Sequence, residues 1–224
     1  MRSLICILIF IRVVTGLRPV VITSDSFLLH RTKGYHPECP DRLQNSIEEI
    51  KKLPSCEIKA PSAETNDTCF NFAAQIARRA HSKKYVDFVK SMCEKNAPYL
   101  SPYDSDTYLS PYSFNQCIEA QSAWIDGLNA VINDNRFAFA LTRPPGHHAS
   151  TNKAMGFCIL NFAVGTALYA LDHLLLQRVA ILDFDVHYGN GIAEMISPRH
   201  NMRYINQFHY TPSKLTILCC TLLH

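Results

Sequence analysis

Three side chains able to bind a metal stand at alternate positions in the run Val179-Ala180-Ile181-Leu182-Asp183-Phe184-Asp185-Val186-His187. Residues two apart on a strand point to the same face, so an apolar strand ending in Asp-x-Asp-x-His would line up Asp183, Asp185 and His187 as a row. Carboxylate oxygen and imidazole nitrogen both suit zinc, and a catalytic zinc generally takes three protein ligands and a water. Asp185 and His187 are the candidates for two of those ligands, while Asp183, one pleat deeper, is placed to brace a neighbouring histidine. The alternative is a strand end whose polar residues simply face solvent. The turn Gly189-Asn190-Gly191 favours the chemical reading, because it lets the backbone approach closely before a helix that should begin near Ile192.

The second constellation is Leu141-Thr142-Arg143-Pro144-Pro145-Gly146-His147-His148-Ala149, which follows the apolar run Phe137 to Ala140. Two prolines and a glycine leave this loop little freedom, and it presents adjacent histidines at the exit of a strand. Ligands of open α/β sheets bind outside the carboxyl ends of strands, a condition that both constellations meet. Imidazole titrates near neutral pH, so His147 and His148 beside a metal-bound water would serve as a proton-transfer pair.

The elements that must position these groups follow a βα rhythm. Pro19 to Thr23 reads as a first strand. Asp41 to Leu53 reads as a helix with Leu43, Ile47, Ile50 and Leu53 on one face, ended by Pro54. Ser82 caps a helix through Tyr85, Phe88, Val89 and Met92, and a longer helix runs from Ser113 to Ile132, its apolar stripe facing the core. Gly156 to about Leu176 is apolar nearly all round and should be a buried helix, with Cys158 at its start either a buried structural thiol or a reactive one. Between Tyr99 and Tyr112 the tetrapeptide Leu-Ser-Pro-Tyr occurs twice and reads as a rim loop. Strands alternating with helices imply an α/β fold with a central parallel sheet flanked by helices.

Composition suits one globular unit of 224 residues, 47% hydrophobic and 18% charged. A net charge of +3 without a dense Lys/Arg patch does not indicate direct nucleic-acid binding. Nine cysteines without a Cys-x-x-Cys pair argue against a disulfide framework and a zinc finger. Residues 1–18 read as an extension, with three alternatives open: a secretory signal cleaved after Gly16, an organelle transit peptide, or a segment that targets nothing. The apolar run Leu4 to Ile11 is too short to span a membrane. Residues 19–210 form the domain, and 211–224 an atypical tail with the apolar run Leu215 to Leu223.

Taken together, Arg143 to Ala149, then Gly156 to Ala163, then Ile181 to Gly191 resemble the histone deacetylase superfamily of zinc amidohydrolases. Upstream, His36-Pro37-Glu38-Cys39-Pro40-Asp41-Arg42-Leu43 is similar to the family's HPE-x-P-x-RL segment, and Ser105 to Tyr108 with Ser110-Pro111 to its acidic rim loop. The resemblance covers roughly residues 19 to 205. It implies the arginase-deacetylase fold, with several C-terminal strands and helices missing. It implies that Asp185 and His187 ligate zinc, that His148 is the general base with His147 its partner, and that Asp183 hydrogen-bonds His147 while Asn190 faces His148. Gly156 and Phe157 would line an acyl-lysine tunnel, Asp106 would hold the substrate backbone at its rim, and Arg42 would lie near the exit for acetate. A structural monovalent cation near Asp183 and Asp185 is also implied. The substrate would be an acetylated protein, histones included, or a small acetylated amine, in the nucleus or cytoplasm; oligomeric state is not legible.

The chain departs from the family pattern in two places. The family's third zinc ligand is an aspartate from a later loop, and its transition-state tyrosine lies in a still later glycine-rich segment. After Asp185 the sequence has no aspartate and one glutamate, so a third ligand would come from Glu194, His200, His209 or the terminus. Tyr188 stands where many relatives carry a second histidine. Two readings therefore remain: a shortened deacetylase of weak activity, or a catalytically dead binding or decoy form. Two-metal hydrolysis in the arginase manner is disfavoured by the lack of further Asp-rich loops.

Overall fold

The computed structural model describes residues 18–31, 34–101, 104–197 and 202–206, and the backbone of 6–10 and 216–221. Nine strands and six α-helices are described: β1 (Cys6–Phe10), β2 (Val20–Ile22), α1 (Pro40–Lys51), β3 (Glu57–Lys59), α2 (Asp67–Ala80), α3 (Lys83–Glu94), β4 (Tyr99–Ser101), β5 (Asp104–Tyr108), α4 (Ser113–Ile132), β6 (Ala138–Thr142), α5 (Phe162–Asp172), β7 (Val179–Asp183), α6 (Asn190–Ile196), β8 (Met202–Asn206) and β9 (Thr216–Thr221).

Seven strands form one sheet in the order β3-β2-β6-β1-β9-β7-β8. It is parallel throughout except for β1, which runs antiparallel between β6 and β9. This is an α/β fold with helices packed on a central, largely parallel sheet. Within the segment 1–18 read as an extension, Cys6–Phe10 pairs in register with β6, Cys6 opposite Thr142. In the segment 211–224, Thr216–Thr221 lies between β1 and β7. Both runs are apolar and rich in Ile, Leu and Cys, a composition that suits a strand flanked on both sides. They separate β6 from β7, the strands that carry the two chemical constellations.

Helix α4 forms where expected and has Trp124, Ile118 and Leu128 fully buried. Each such side chain contributes about 1.5–3 kcal/mol by leaving water. Ser82 caps α3 as expected, its hydroxyl accepting from the Tyr85 N–H at 3.2 Å. On α1 Leu43 and Ile47 are buried, but Leu53 falls beyond the helix and is exposed. Helix α5 is shorter than its apolar run suggests. Asn161 starts it by accepting from the Val164 N–H at 3.2 Å, while its own N–H donates to His81 Nε2 at 2.8 Å. The preceding residues 156–160 are turns, because Gly156 and Phe157 both take positive φ, +54° and +68°, which a helix does not allow. Cys158 is thus buried in a turn rather than at a helix start. The rim segment is not a plain loop but the hairpin β4-β5.

Candidate active site

Strands β6 and β7 run parallel, so their carboxyl ends open on the same edge of the sheet. Asp183 closes β7, and its side chain is 1% exposed. The strand stops there, earlier than the alternation of Asp183, Asp185 and His187 suggests. Asp185 and His187 sit in the following bend instead, because the carboxylates wind it: Asp183 Oδ1 accepts the Asp185 N–H at 3.2 Å and Asp185 Oδ1 accepts the His187 N–H at 2.7 Å. Aspartates that bond backbone two residues on favour such a turn over a continuing strand.

The bend brings the two constellations together. His147 Nδ1 lies 3.1 Å from Asp183 Oδ2, and His148 Nδ1 lies 2.7 Å from Asn190 Oδ1. Both acceptors require Nδ1 to carry a proton, and on the neutral His148 ring this leaves Nε2 as a lone-pair acceptor. The two rings are tilted 41° to each other with centroids 4.0 Å apart, and the His148 ring centroid lies 6.0 Å from that of His187. His147 is buried, and its Nε2 has no hydrogen-bond partner among the described residues. Burial and the neighbouring His147 push the His148 pKa down from 6.5 to about 4, against the opposing effects of Asn190 and Asp185. His148 is therefore neutral at physiological pH.

Two of the expected metal donors lie side by side. Asp185 Oδ1 and His187 Nδ1 are 3.2 Å apart, a separation that fits two ligands each about 2.0–2.1 Å from one zinc in tetrahedral geometry. Asp185 is buried while the His187 side chain is 51% exposed, so the position between them opens outward. The expected third donor is not found among the described residues: they contain no group of three His, Cys, Asp or Glu that could hold a metal, and Glu194 is exposed on α6. His200 and His209 lie outside the described residues.

The remaining expected residues flank this centre. Gly156 packs on the face of His148, where an added Cβ would fall 2.5 Å from the ring Cδ2. The Phe157 N–H donates to Thr107 Oγ1 at 3.1 Å, tying this wall to the rim hairpin. Asp106 is exposed on β5, and its carbonyl accepts from His36 Nε2 at 3.1 Å. His36 also sets its ring edge against Phe157 at 4.8 Å. Arg42 is buried on α1, with its guanidinium 4.0 Å from Glu38.

Sequence reasoning missed the groups that hold this centre from beneath. Glu38 is 1% exposed and takes Arg143 Nε at 2.5 Å, Arg143 Nη2 at 2.7 Å and the Tyr108 hydroxyl at 2.7 Å. Burial alone would raise the Glu38 pKa, but the Arg143 charge and hydrogen bonds outweigh it and bring it to about 2. Arg143 further donates to the carbonyls of Phe27 and His30, each at 3.0 Å. This buried pair locks the loop before α1 to the loop bearing the histidines. Glu38 and Arg143 both stood in recognised motifs without a role; Tyr204, described below, carried no sequence signal.

Residues 36–215 match the family model for the histone deacetylase domain. The chain is 40% identical over 186 residues to an uncharacterized protein of Synechocystis, covering 82% of this chain and 58% of that one. It is 29% identical to a probable deacetylase of Methanothermobacter thermautotrophicus, covering 88% of this chain and 55% of the other. A crystal structure of the HDA15 HD domain superposes with a TM-score of 0.71 at 31% identity, covering 84% of this chain and 53% of that one. The chain thus spans little more than half the length of these matches.

Proposed function

This chain belongs to the histone deacetylase family, and from that premise we propose that it hydrolyses the acetamide of an acetylated lysine or a small acetylated amine, releasing acetate. The observation that carries the reading is the meeting of the histidine pair with Asp185 and His187 at one sheet edge, each histidine holding its own Nδ1 partner.

Asp185 and His187 would hold a zinc, which when bound supplies a Lewis acid and brings the pKa of a coordinated water to about 7. His148 is the general base: its Nδ1–H is committed to Asn190, so Nε2 accepts the proton, and burial keeps the ring neutral for that purpose. The two rings differ in partner, a carboxylate for His147 and an amide for His148, and this asymmetry leaves His148 the readier proton acceptor. Gly156 and Phe157 form one wall of the acyl channel, Asp106 binds the substrate backbone at the rim, and Arg42 lies toward the acetate exit. A structural monovalent cation beside Asp183 and Asp185 belongs to the same proposal.

With two donors placed among the described residues, turnover by this chain alone should be slow. The second reading, a binding or decoy form, is favoured by the described residues alone, among which no third donor joins Asp185 and His187. Acetate release from an acetyl-lysine peptide and from an acetylated polyamine, with zinc supplied, separates the two. The deacetylase reading expects slow release abolished by His148→Ala, whereas binding of the peptide without any release supports the decoy.

A further inference from the structure

Outside the expected motifs, one side chain bonds the donor-bearing segment at two places, Asp183 and Gly189. Tyr204 lies on β8 opposite Ile181 of β7, two residues before Asp183. Two residues of parallel strand span about 6.6 Å, roughly the reach of a tyrosine side chain, so the hydroxyl arrives beside the Asp183 carboxylate. There it accepts the Gly189 N–H at 3.0 Å and donates to Asp183 Oδ2 at 3.1 Å. An ionised carboxylate only accepts, so in this bond the phenol proton is the one shared with Asp183.

Asp183 is thereby held at both oxygens. Oδ1 takes the Asp185 N–H, and Oδ2 is shared by Tyr204 and by His147 Nδ1. Gly189 fits between these groups only because it lacks a Cβ, which would collide with Asp183 Oδ2 and lie 2.6 Å from the Tyr204 hydroxyl. The same Gly189 N–H ends the bend that bears Asp185 and His187. One hydroxyl therefore anchors the donor-bearing bend and orients the carboxylate that fixes the His147 tautomer.

We propose that Tyr204 is a positioning residue of the acid-base pair, acting by bridging Gly189 to Asp183 so that the carboxylate stays aimed at His147. It rests on the deacetylase reading for its catalytic consequence alone; the bridge itself is a matter of geometry. Partners of this kind, one step removed from the reacting groups, typically cost about 10- to 100-fold when removed.

The test is proton NMR of the full chain. The buried His147 Nδ1–H should give a downfield resonance, assigned by its loss in His147→Gln, with a cross-relaxation peak to Tyr204 in the unsubstituted protein. In Tyr204→Phe the resonance should move further downfield, because His147 becomes the sole side-chain donor on Oδ2. Tyr169→Phe, which removes a hydroxyl bonded to Asn129 at 2.8 Å, should leave it in place. Turnover should fall at least about tenfold in kcat with KM unchanged. No downfield resonance, no peak to Tyr204, or a position unmoved in a folded Tyr204→Phe protein would overturn the proposal. Should that variant fail to fold, the peak in the unsubstituted protein decides. Absence of turnover with the resonance and its response intact would instead count against the deacetylase reading.

Discussion

Replacing Glu38 by glutamine keeps its shape and removes its charge, which makes it a stringent probe of how the histidine loop is held. In the native fold this carboxylate accepts three side-chain hydrogen bonds of 2.7 Å or less, two from Arg143 and one from Tyr108. Arg143 is itself 3% exposed, so Glu38→Gln leaves a guanidinium buried without its counter-charge and turns one amide donor toward it. Breaking a buried pair in this way costs about 3–5 kcal/mol, a large part of the roughly 5–15 kcal/mol that holds a domain together. For a chain of this size that corresponds to a fall of about 6–20 °C in Tm. The control is Glu49→Gln, whose pair with Lys52 is 67–72% exposed, and which should cost about 0–1 kcal/mol. Thermal unfolding followed by circular dichroism measures both. A loss for Glu38→Gln no larger than that of Glu49→Gln would refute the assignment of Glu38 and Arg143 as the buried tie of the site.

Two further predictions concern acid and the tunnel wall. Burial lowers the pKa of His30 from 6.5 to about 3 and of His81 from 6.5 to about 4, so below pH about 6.5 the unfolded chain takes up protons that the native state refuses. Each group should lower stability by about 1.4 kcal/mol per pH unit through its window, and Glu38 adds to the loss from 4.5 down to about 2. Urea unfolding between pH 8 and pH 4 should therefore show a flat upper region and a steep acid fall, and a midpoint unchanged from pH 7 to pH 4 would contradict it. At the wall, Gly156→Ala puts a Cβ against the His148 ring at φ +54°, a backbone cost of about 1–3 kcal/mol. Acetamide hydrolysis should drop about 10²-fold, the typical worth of a positioned base, with far-UV circular dichroism retained; undiminished turnover would show that His148 does not need this wall.

Local pattern carried much of the fold, and for stated reasons. Ser82 and the stripe of Leu128, Trp124 and Ile118 fix α3 and α4 through capping and periodicity, which are nearest-neighbour properties of the chain. The pairing of His147 with Asp183 and of His148 with Asn190 was implied by family resemblance rather than by spacing, and the structure places both pairs at hydrogen-bond distance. What local pattern misread were competitions between equally local signals. The alternation Asp183, Asp185, His187 reads as strand, yet carboxylate bonds to the backbone win and wind a bend. The apolar run after Gly156 reads as helix, yet positive φ at Gly156 and Phe157 delays it to Phe162. Contacts made at long range were not legible at all. Glu38 meets Arg143 across 105 positions, and Tyr204 reaches Asp183 from the next strand.

The central claim is that Asp185 and His187 form a metal site beside the histidine pair. Zinc titration of the full chain by calorimetry, set against Asp185→Ala and His187→Ala, tests it most directly. Binding at one zinc per chain is expected, lost in each variant while the fold persists. Zinc binding that survives both substitutions unchanged, or none in the unsubstituted chain, would contradict it.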